Sequence, residues 1–531
     1  MALLCKICTA LNLRRLFTGP GGNDEVELGS YEEIEDRGAN CELCQLILLA
    51  VDYGPWKYRG KLGQEDGFIL VPVPTAALRC KSTYGEVAPR ACRLHIFTDD
   101  FEDAGDVMLD SRDSELLGRP ALGYGRLIES RQIDYDVIKS WISDCGLRHK
   151  KCDVTYRSVS AVQQLPEQSL LIDVHKQCLV DAPQNVHYAA LSYKWGEAQQ
   201  YLTLEKEFEA LQKPGALTSR PLPATVRDAI TLTSNIGLDY VWVDALCIIQ
   251  DSPSHKAKQI SQMHLVYGCA TVTIVAASSA HADDGLAGVH DKPRDFSECS
   301  ASINGLRLIA RKCFLGRIMN ASEYNTRAWT YQESSLSRRV LSITSRGVTM
   351  QCCSSLFSEE MVFEDSACDI PDCQNHSLEI DGEQRNIWRE FLAKKNHPVS
   401  TECTDACNMQ ARQSYLSRSL PTYPKPTHNA SSKDWSQLSW QACSDCISFL
   451  KRNEAEWLMY QEAVRSYTHR HMRFESDRIP AFSGLAGILA DQFNSPFLYG
   501  LPEKYLDLAL LWAPRNRLTS PCRRNGLRGV P

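Results

Sequence analysis

Three short segments of this chain place tryptophan beside polar or ionisable side chains. The first is Tyr188–Gly196, which reads Tyr-Ala-Ala-Leu-Ser-Tyr-Lys-Trp-Gly, the second is Tyr240–Asp251, and the third is Arg327–Glu333. Tryptophan is costly to spend on ordinary surface, because its large amphipathic ring normally serves cores and binding interfaces. Three such segments therefore predict one shared, shaped site.

Two carboxylates in these segments have the chemistry of general acids, general bases or stabilisers of a cationic centre. In the second segment Trp242 and Asp244 share one face of a predicted strand, with Asp244 at its carboxyl end. In the third, Trp329 and Glu333 are four residues apart on one face of a predicted helix. Ligands of open α/β sheets bind at the carboxyl ends of strands. We therefore predict that Asp244 and Glu333 converge on one crevice as catalytic residues.

A structural role is the alternative for both carboxylates. Asp244 would then cap the turn after its strand, and Glu333 would pair with Arg338 or Arg339. A buried carboxylate is costly without a partner, so either role demands a specific neighbour. The residue types leave both roles open.

The aromatic residues of the segments are candidates for binding a ligand ring. Tyr193 and Trp195 share one face of the first predicted strand, and Gly196 ends that strand and lets backbone approach closely. Together with Trp242 and Trp329, these residues form the predicted ligand-binding set. The alternative is that each tryptophan fills a gap between sheet and helices, as buried aromatic rings usually do.

Two cysteine pairs near the start of the chain have the spacing of zinc ligands. Cys5 and Cys8 form one Cys-x-x-Cys pair, and Cys41 and Cys44 form the other. Four thiolates can complete a tetrahedral zinc site, which would be structural because no coordination position stays open. Alternatively, the second pair is simply buried on a helix over 42–50, which is apolar on one face.

A second cysteine-rich group contains only three candidate ligands. Cys145, His149 and Cys152 follow one another at a spacing that permits chelation, but no fourth ligand is evident from the sequence. We therefore favour a cluster of buried thiols beside a hydrogen-bonded histidine at a helix end.

The composition restricts the class of protein. The chain has 531 residues, 43% of them hydrophobic, and a net charge of −7 without a basic block, which argues against phosphate-driven binding of nucleic acid. Its first residues lack a basic start followed by a long apolar run, so we expect no secretory signal, and no window approaches the ~18 apolar residues needed to span a bilayer. We expect a cytoplasmic protein without membrane insertion, whose 22 cysteines are mostly thiols.

Common catalytic and nucleotide-binding motifs are missing from the sequence. It contains no Gly-x4-Gly-Lys-Ser/Thr loop, no Gly-x-Gly-x-x-Gly turn, no His-Glu-x-x-His helix and no Gly-x-Ser-x-Gly elbow. The three tryptophan segments therefore carry the functional argument.

The elements that position these residues alternate between strand and helix. We predict strands over 188–194, 240–244, 271–276 and 339–344, and helices over 225–235, 256–267 and 329–337. Such alternation is typical of an α/β fold with a doubly wound, mostly parallel sheet.

Changes in composition divide the chain into four regions. Residues 1–170 form a mixed α+β, cysteine-containing region, and 171–355 form the central α/β domain. Residues 356–438 are rich in polar residues and proline, which predicts a variable insertion or linker. Residues 439–531 are expected to be mainly helical.

In order and wording, the three segments closely resemble the motifs of the fungal heterokaryon-incompatibility (HET) domain. The resemblance covers about 188–333, and family-like stretches around Trp141–Cys152 and Tyr467–Ala486 flank it. Ala328 replaces the usual glycine or threonine, and Gly500 begins Gly-Leu-Pro-Glu where Gly-Leu-Trp is usual. The chain also stops soon after Leu511-Trp512, so we expect a shortened or missing C-terminal portion.

The resemblance implies a role in self/non-self recognition (vegetative incompatibility) in filamentous fungi, with programmed cell death as the outcome. The family is thought to be distantly similar to TIR domains, which implies a TIR-like, flavodoxin-like central fold. Some TIR domains cleave NAD at the nicotinamide–ribose bond with a helical glutamate, a role that would fall by analogy to Glu333. The implied partners are further copies of the chain and other incompatibility or sensor proteins.

Two hypotheses follow from the resemblance. The chain is either an enzyme that hydrolyses NAD or a related nucleotide, or a non-catalytic signalling module that acts by homotypic association. A zinc-dependent regulator that contacts nucleic acid is a weaker third hypothesis, because the chain lacks a basic stripe.

Overall fold

The fold is taken from a computed structural model of the chain. It describes residues 3–18, 25–54, 67–74, 91–99, 103–119, 121, 123–128, 131–149, 152, 165–166, 168–197, 199–295, 299–311, 318–319, 322–352, 356–362, 457, 459–472 and 475–510. The predicted insertion over 356–438 lies almost wholly outside the described residues, as does the stretch after 510. Among the helices that are described, none is long and apolar enough to cross a bilayer.

Sixteen strands are described in the chain. They are β1 Val26–Ser30, β2 Gly67–Pro74, β3 Cys92–Thr98, β4 Asp103–Leu109, β5 Leu170–Asp173, β6 Cys178–Asp181, β7 Tyr188–Ser192, β8 Tyr240–Trp242, β9 Val272–Ala276, β10 Ser300–Ile303, β11 Leu306–Ala310, β12 Arg339–Ile343, β13 Val348–Cys352, β14 Leu356–Ser358, β15 Phe497–Leu498 and β16 Leu501–Pro502.

The α-helices of the described residues surround these strands. They are α1 Lys6–Ala10, α2 Leu13–Thr18, α3 Tyr31–Gly38, α4 Glu42–Tyr53, α5 Tyr135–Arg148, α6 Glu205–Leu211, α7 Ala224–Asn235, α8 Asp244–Cys247, α9 Pro253–Cys269, α10 Ala328–Leu336, α11 459–468, α12 Pro480–Phe493 and α13 Leu506–Leu510.

The larger sheet is mixed. Its order is β14-β13-β12-β9-β7-β8-β5-β6, and the four central strands β12, β9, β7 and β8 run parallel. The strands on either side pair antiparallel, β13 with β12, β14 with β13, β5 with β8, and β6 with β5. The α/β class is therefore confirmed, but the prediction of a doubly wound, mostly parallel sheet does not describe the whole sheet.

Short turns explain two of the antiparallel pairings that differ from the predicted parallel sheet. Only four residues separate β5 from β6 and β12 from β13, whereas a parallel connection needs a crossover of a dozen residues or more. Gln177, with φ 52°, occupies the left-handed region in the first of these turns. Alternation of strands and helices in the sequence predicts that the strands carrying the motifs pair in parallel. It does not reveal hairpins that add antiparallel strands at the edges of the sheet.

A second, antiparallel sheet is formed mainly by the N-terminal region and also includes two strands from the central segment. Its order is β1-β2-β3-β4-β11-β10, and β11 pairs with β4 through Leu308 opposite Leu109. The β10–β11 hairpin comes from the stretch between the second and third tryptophan segments. The N-terminal sheet is thus not continuous in sequence.

Helix α10 is enclosed on two sides. It packs on β7 and β9 of the larger sheet, and on its other flank it contacts α9 and α12. Seven of its nine residues are buried, although most of them are polar. A polar helix in this position needs specific hydrogen bonds, and Gln332 accepts one at 3.1 Å from the Gly484 backbone N–H on α12.

Candidate active site

The carboxyl ends of the parallel strands meet at one edge of the larger sheet. The first tryptophan segment leaves β7 at Ser192, Asp244 follows β8, and Ala277 follows β9. Strand β7 is two residues shorter than predicted, and Asp244 begins α8 instead of ending a strand. The predicted residues nevertheless reach the edge at which α/β sheets bind ligands.

Glu333 lies on α10 facing the end of β7. Its carboxylate accepts a short hydrogen bond from the Ser192 hydroxyl, whose oxygen is also 2.7 Å from the Tyr324 hydroxyl. The Tyr267 hydroxyl lies beside this carboxylate and donates its hydrogen to the Leu191 backbone carbonyl at 3.1 Å. The residue is 6% exposed, so the carboxylate is enclosed by hydroxyl groups.

Burial raises the pKa of Glu333 to about 7, because removal from water disfavours its charged form. The Arg327 guanidinium and the hydrogen bond from Ser192 oppose this rise, whereas the negative charge of Asp244 adds to it. Glu333 is thus divided between acid and carboxylate near neutral pH, a condition that suits proton transfer.

The suggested structural partners of Glu333 are engaged elsewhere. Arg338 donates to the backbone carbonyls of Gly268 and Cys269. Arg339 donates to the sulfur of Cys145 at 3.1 Å. Glu333 is held by hydroxyl groups and by Arg327, so the proposed pairing with Arg338 or Arg339 is wrong.

Asp244 is held by the first tryptophan segment. It accepts hydrogen bonds from the Trp195 indole at 2.9 Å and from the Ala245 backbone N–H at 2.7 Å. The Tyr193 hydroxyl lies nearby and donates to the Gln200 side chain at 3.1 Å. Burial raises the pKa of Asp244. Its charge acts on Glu333, so the fold brings the two predicted carboxylates into electrostatic contact.

Arg327 links the first and third segments. It donates to the backbone carbonyl of Tyr193 at 2.7 Å, and its charge stabilises the ionised forms of Asp244 and Glu333. Sequence reasoning missed Arg327 and Ser192 as site residues, although both stand inside the quoted segments. Their adjacency to the predicted residues was the available signal.

The three tryptophans occupy different environments. Trp195 is half-buried against Asp244. Trp242 is fully enclosed and packs edge-on against Tyr267 with ring centroids 5.6 Å apart, so it fills the core. Trp329 is half-buried and donates to Asp477 at 3.3 Å, on the side facing the C-terminal region. Of the three, only Trp195 contacts a predicted catalytic residue through a hydrogen bond that the structure describes.

Gly196 permits a close approach between two loops. Its φ is +64°, in the left-handed region, and a Cβ built on it would lie 2.3 Å from Nδ1 of His281. Any side chain here would therefore be strained and would displace His281. The glycine was predicted to allow close backbone approach, and its immediate neighbour is a histidine.

A cavity of about 300 Å³ with a mixed polar and apolar lining opens at the same edge, beyond β9 and β12. Its volume is at the lower end of the range for small-molecule sites. Glu323, which forms an ion pair with Lys194 of the first segment, lines this cavity, whereas Glu333 and Asp244 do not. Its other polar lining residues are Ser278, Ser279, Ser322, Ser345 and Arg346.

The four predicted metal ligands near the N-terminus come together. Cys5 caps α1, Cys8 lies within α1, Cys41 precedes α4, and Cys44 lies within α4. Their sulfur atoms all lie within 4.8 Å of one another, with Cys44 3.8 Å from Cys5 and 3.6 Å from Cys8. Zn–S bonds of about 2.3 Å at tetrahedral angles require sulfur separations of about 3.8 Å. The helix predicted over 42–50 is also present, so the two interpretations of this pair are compatible.

Comparison with known proteins agrees with the resemblance of the three segments. Residues 188–333 match the family model described as Heterokaryon incompatibility protein (HET), and the match runs from the start of the first segment to Glu333. No curated protein and no solved structure matches the chain. The match covers β7, β8, β9 and α10 as far as Glu333, and it shows that the chain carries a heterokaryon-incompatibility (HET) domain over residues 188–333.

Proposed function

We propose that this chain is an effector of vegetative incompatibility that promotes programmed cell death, and that its activity resides at the carboxyl edge of β7, β8 and β9. The observation that carries the proposal is the placement of two carboxyl groups at that edge, where Glu333 accepts a hydrogen bond from Ser192, Asp244 accepts one from Trp195, and the charge of Arg327 acts on both. Pairs of buried carboxyl groups with raised pKa values are typical of acid–base sites. Family membership supports the biological role.

The substrate class we propose is a nicotinamide dinucleotide such as NAD. Hydrolysis would break the bond between the ribose C1′ and the nicotinamide nitrogen, and its electron pair would leave with neutral nicotinamide. Water would form the new bond to C1′ and release one proton. A carboxylate at Glu333 would stabilise the oxocarbenium-like ribosyl centre, as in glycoside hydrolysis. A cationic nicotinamide nearby would also favour the ionised form of Glu333.

The enclosure of Glu333 favours a second candidate function. At 6% exposure the carboxylate is bonded to Ser192, and its helix is covered by α9 and α12. A group in this position also serves the packing of α10. The alternative is therefore a signalling module that acts through homotypic association, in which Glu333 positions α10 against β7.

The experiment compares NAD consumption by the purified full-length chain and by Glu333→Gln. The full chain is required because β10 and β11 complete the N-terminal sheet, so a 171–355 fragment would lose those neighbours. High protein concentration is used because the implied mechanism involves clustering. Circular dichroism and unfolding curves monitor the fold, and Glu197→Gln, an exposed carboxylate just beyond Gly196, is the matched control.

For a hydrolase we expect Glu333→Gln to lower turnover by about 100-fold or more while the fold persists. Glu197→Gln should retain wild-type turnover. Intact NAD with the wild-type protein folded and self-associated would refute hydrolysis of NAD and leave the association function.

We further propose that Cys5, Cys8, Cys41 and Cys44 hold a structural zinc ion. Hydrogen bonds from neighbouring thiols, Cys8 first, lower the pKa of Cys44 and favour the thiolate that a metal needs. The double variant Cys5→Ser/Cys8→Ser should lose one molar equivalent of zinc from the purified chain. Unchanged zinc content in that variant would refute the assignment.

A further inference from the structure

A second group of buried ligand atoms lies at the edge of the larger sheet. Cys145 and His149 lie at the end of α5, and Cys152 follows them, as the sequence shows. The structure adds Cys352, the last residue of β13. The three sulfur atoms and the histidine ring nitrogen all lie within 4.8 Å of one another, and all four residues are buried.

The spacing of these atoms suits a metal ion. Zn–S bonds of about 2.3 Å and Zn–N bonds of about 2.0–2.1 Å place sulfur and nitrogen about 3.5 Å apart at tetrahedral angles. Nδ1 of His149 is 3.4 Å from the sulfur of Cys352. A disulfide would need about 2.05 Å between sulfur atoms, and the three cysteines are thiols.

Local structure presents the ligands together. Cys145 and His149 are four residues apart and share one face of α5. The helix ends at this point, and the backbone N–H of Cys152 then donates to the His149 carbonyl at 2.8 Å, which turns the chain back towards the helix end. Cys352 arrives from the sheet, because β13 pairs antiparallel with β12.

A buried cation accompanies the group. Arg339 stands opposite Cys352 in the β12–β13 ladder, and its Nε donates to the sulfur of Cys145 at 3.1 Å. Three thiolates and a neutral imidazole around Zn²⁺ carry a net charge of −1. A guanidinium at this position would offset that charge and orient a ligand sulfur, as hydrogen bonds around metal ligands do.

We propose that Cys145, His149, Cys152 and Cys352 bind a structural zinc ion, with Arg339 as the hydrogen-bond donor to the ligand sulfur of Cys145. Four protein ligands leave no open coordination position, so the site does not take a substrate. The ion would tie α5, which precedes the HET domain, to the strand pair that follows it. The expectation of a thiol cluster lacking a fourth ligand is thereby replaced.

The test measures zinc in the purified, reduced full-length chain. The background variant is Cys5→Ser/Cys8→Ser, which isolates this site from the N-terminal cluster. We expect one molar equivalent of zinc in this background and its loss when Cys352→Ser is added. The matched control is Cys178→Ser, because Cys178 is also a buried strand cysteine, the first residue of β6, and belongs to neither ligand group. This variant should retain the zinc.

A second measurement keeps the proposal testable where Cys352→Ser fails to fold. In the same background, added Co²⁺ should produce the thiolate-to-cobalt charge-transfer and d–d bands of a tetrahedral thiolate site. His149→Cys should keep the metal with a shifted spectrum, since four thiolates also bind tetrahedrally, whereas His149→Ala should weaken binding. A folded background protein with neither zinc nor these cobalt bands would overturn the proposal. A fall from two zinc equivalents to one on going from wild type to this background reports on the N-terminal cluster, and the equivalent that remains supports the proposed site.

Discussion

Replacing Glu333 by glutamine should change how the stability of the protein depends on pH. The carboxyl group is enclosed by Ser192, Tyr267 and Tyr324, and burial raises its pKa from 4.5 to about 7. An acid with a higher pKa in the folded protein holds more protons when folded than when unfolded. The free energy of unfolding therefore falls as pH rises from 4.5 through 7, and the full loss is present above pH 8.

The size of the effect follows from the shift. The rise of the pKa from 4.5 to about 7 corresponds to about 3 kcal/mol, most of which falls between pH 5 and pH 8. Glutamine keeps the shape of the acid but cannot ionise. Relative to wild type, the free energy of unfolding of Glu333→Gln should thus gain about 2–3 kcal/mol across this interval.

The assay is urea unfolding at pH 5, 6, 7 and 8, followed by tryptophan fluorescence and far-UV circular dichroism. Asp244 and Arg327 face Glu333 in both proteins, so most other titrations cancel in the difference curve. Glu197→Gln, at an exposed site, should run parallel to wild type. Ser192→Ala removes a hydrogen-bond donor to the Glu333 carboxylate. It should raise the pKa of Glu333 further and so move the pH-dependent loss of stability to higher pH. Parallel curves for wild type and Glu333→Gln, within about 0.5 kcal/mol, would refute this account of the buried acid.

Two further predictions concern close packing and a buried ion pair. Gly196→Ala should lower the free energy of unfolding by about 1–3 kcal/mol, because the new methyl group meets His281. Gly215→Ala is the control for backbone strain, since its φ is +80° but the space around it is open. An equal loss of stability in both variants would contradict the close approach at Gly196. Arg294→Met should lower the free energy of unfolding by about 3–5 kcal/mol in a thermal or urea unfolding assay, because it leaves the Glu359 carboxylate buried without the Arg294 guanidinium. A loss below about 1 kcal/mol would show that Glu359 is neutral in the folded protein.

The sequence predicted the elements of the central segment well, because their patterns are local. The helix expected over 225–235 is Ala224–Asn235, and the strand expected over 271–276 is Val272–Ala276. Apolar residues at a period of two or about 3.6 report which face of an element is buried, whatever its neighbours are. The pairing of β10 and β11 with a sheet formed mainly by the first 110 residues has no such local signal.

The same reasoning explains what could be predicted of the sites. Cys5, Cys8, Cys41 and Cys44 form two close pairs in sequence, and that spacing is itself the signal. Cys352 joins its group only because β13 returns beside β12, which no spacing reveals. The contact between Ser192 and Glu333 likewise depends on how α10 packs on β7, although both residues belong to recognisable segments.

The hairpin of β10 and β11 also determines when the N-terminal sheet can be completed during translation. Strand β4 has no partner on one edge until β11 has been synthesised, because Leu308 of β11 pairs with Leu109, about 200 residues earlier in the chain. At translation rates of roughly 5–20 residues per second, that wait is roughly 10–40 s. During this interval the edge of β4 offers unpaired backbone groups to other nascent chains. A ribosome-bound chain stopped before residue 300 should therefore depend on chaperones far more than one released after β11 has emerged.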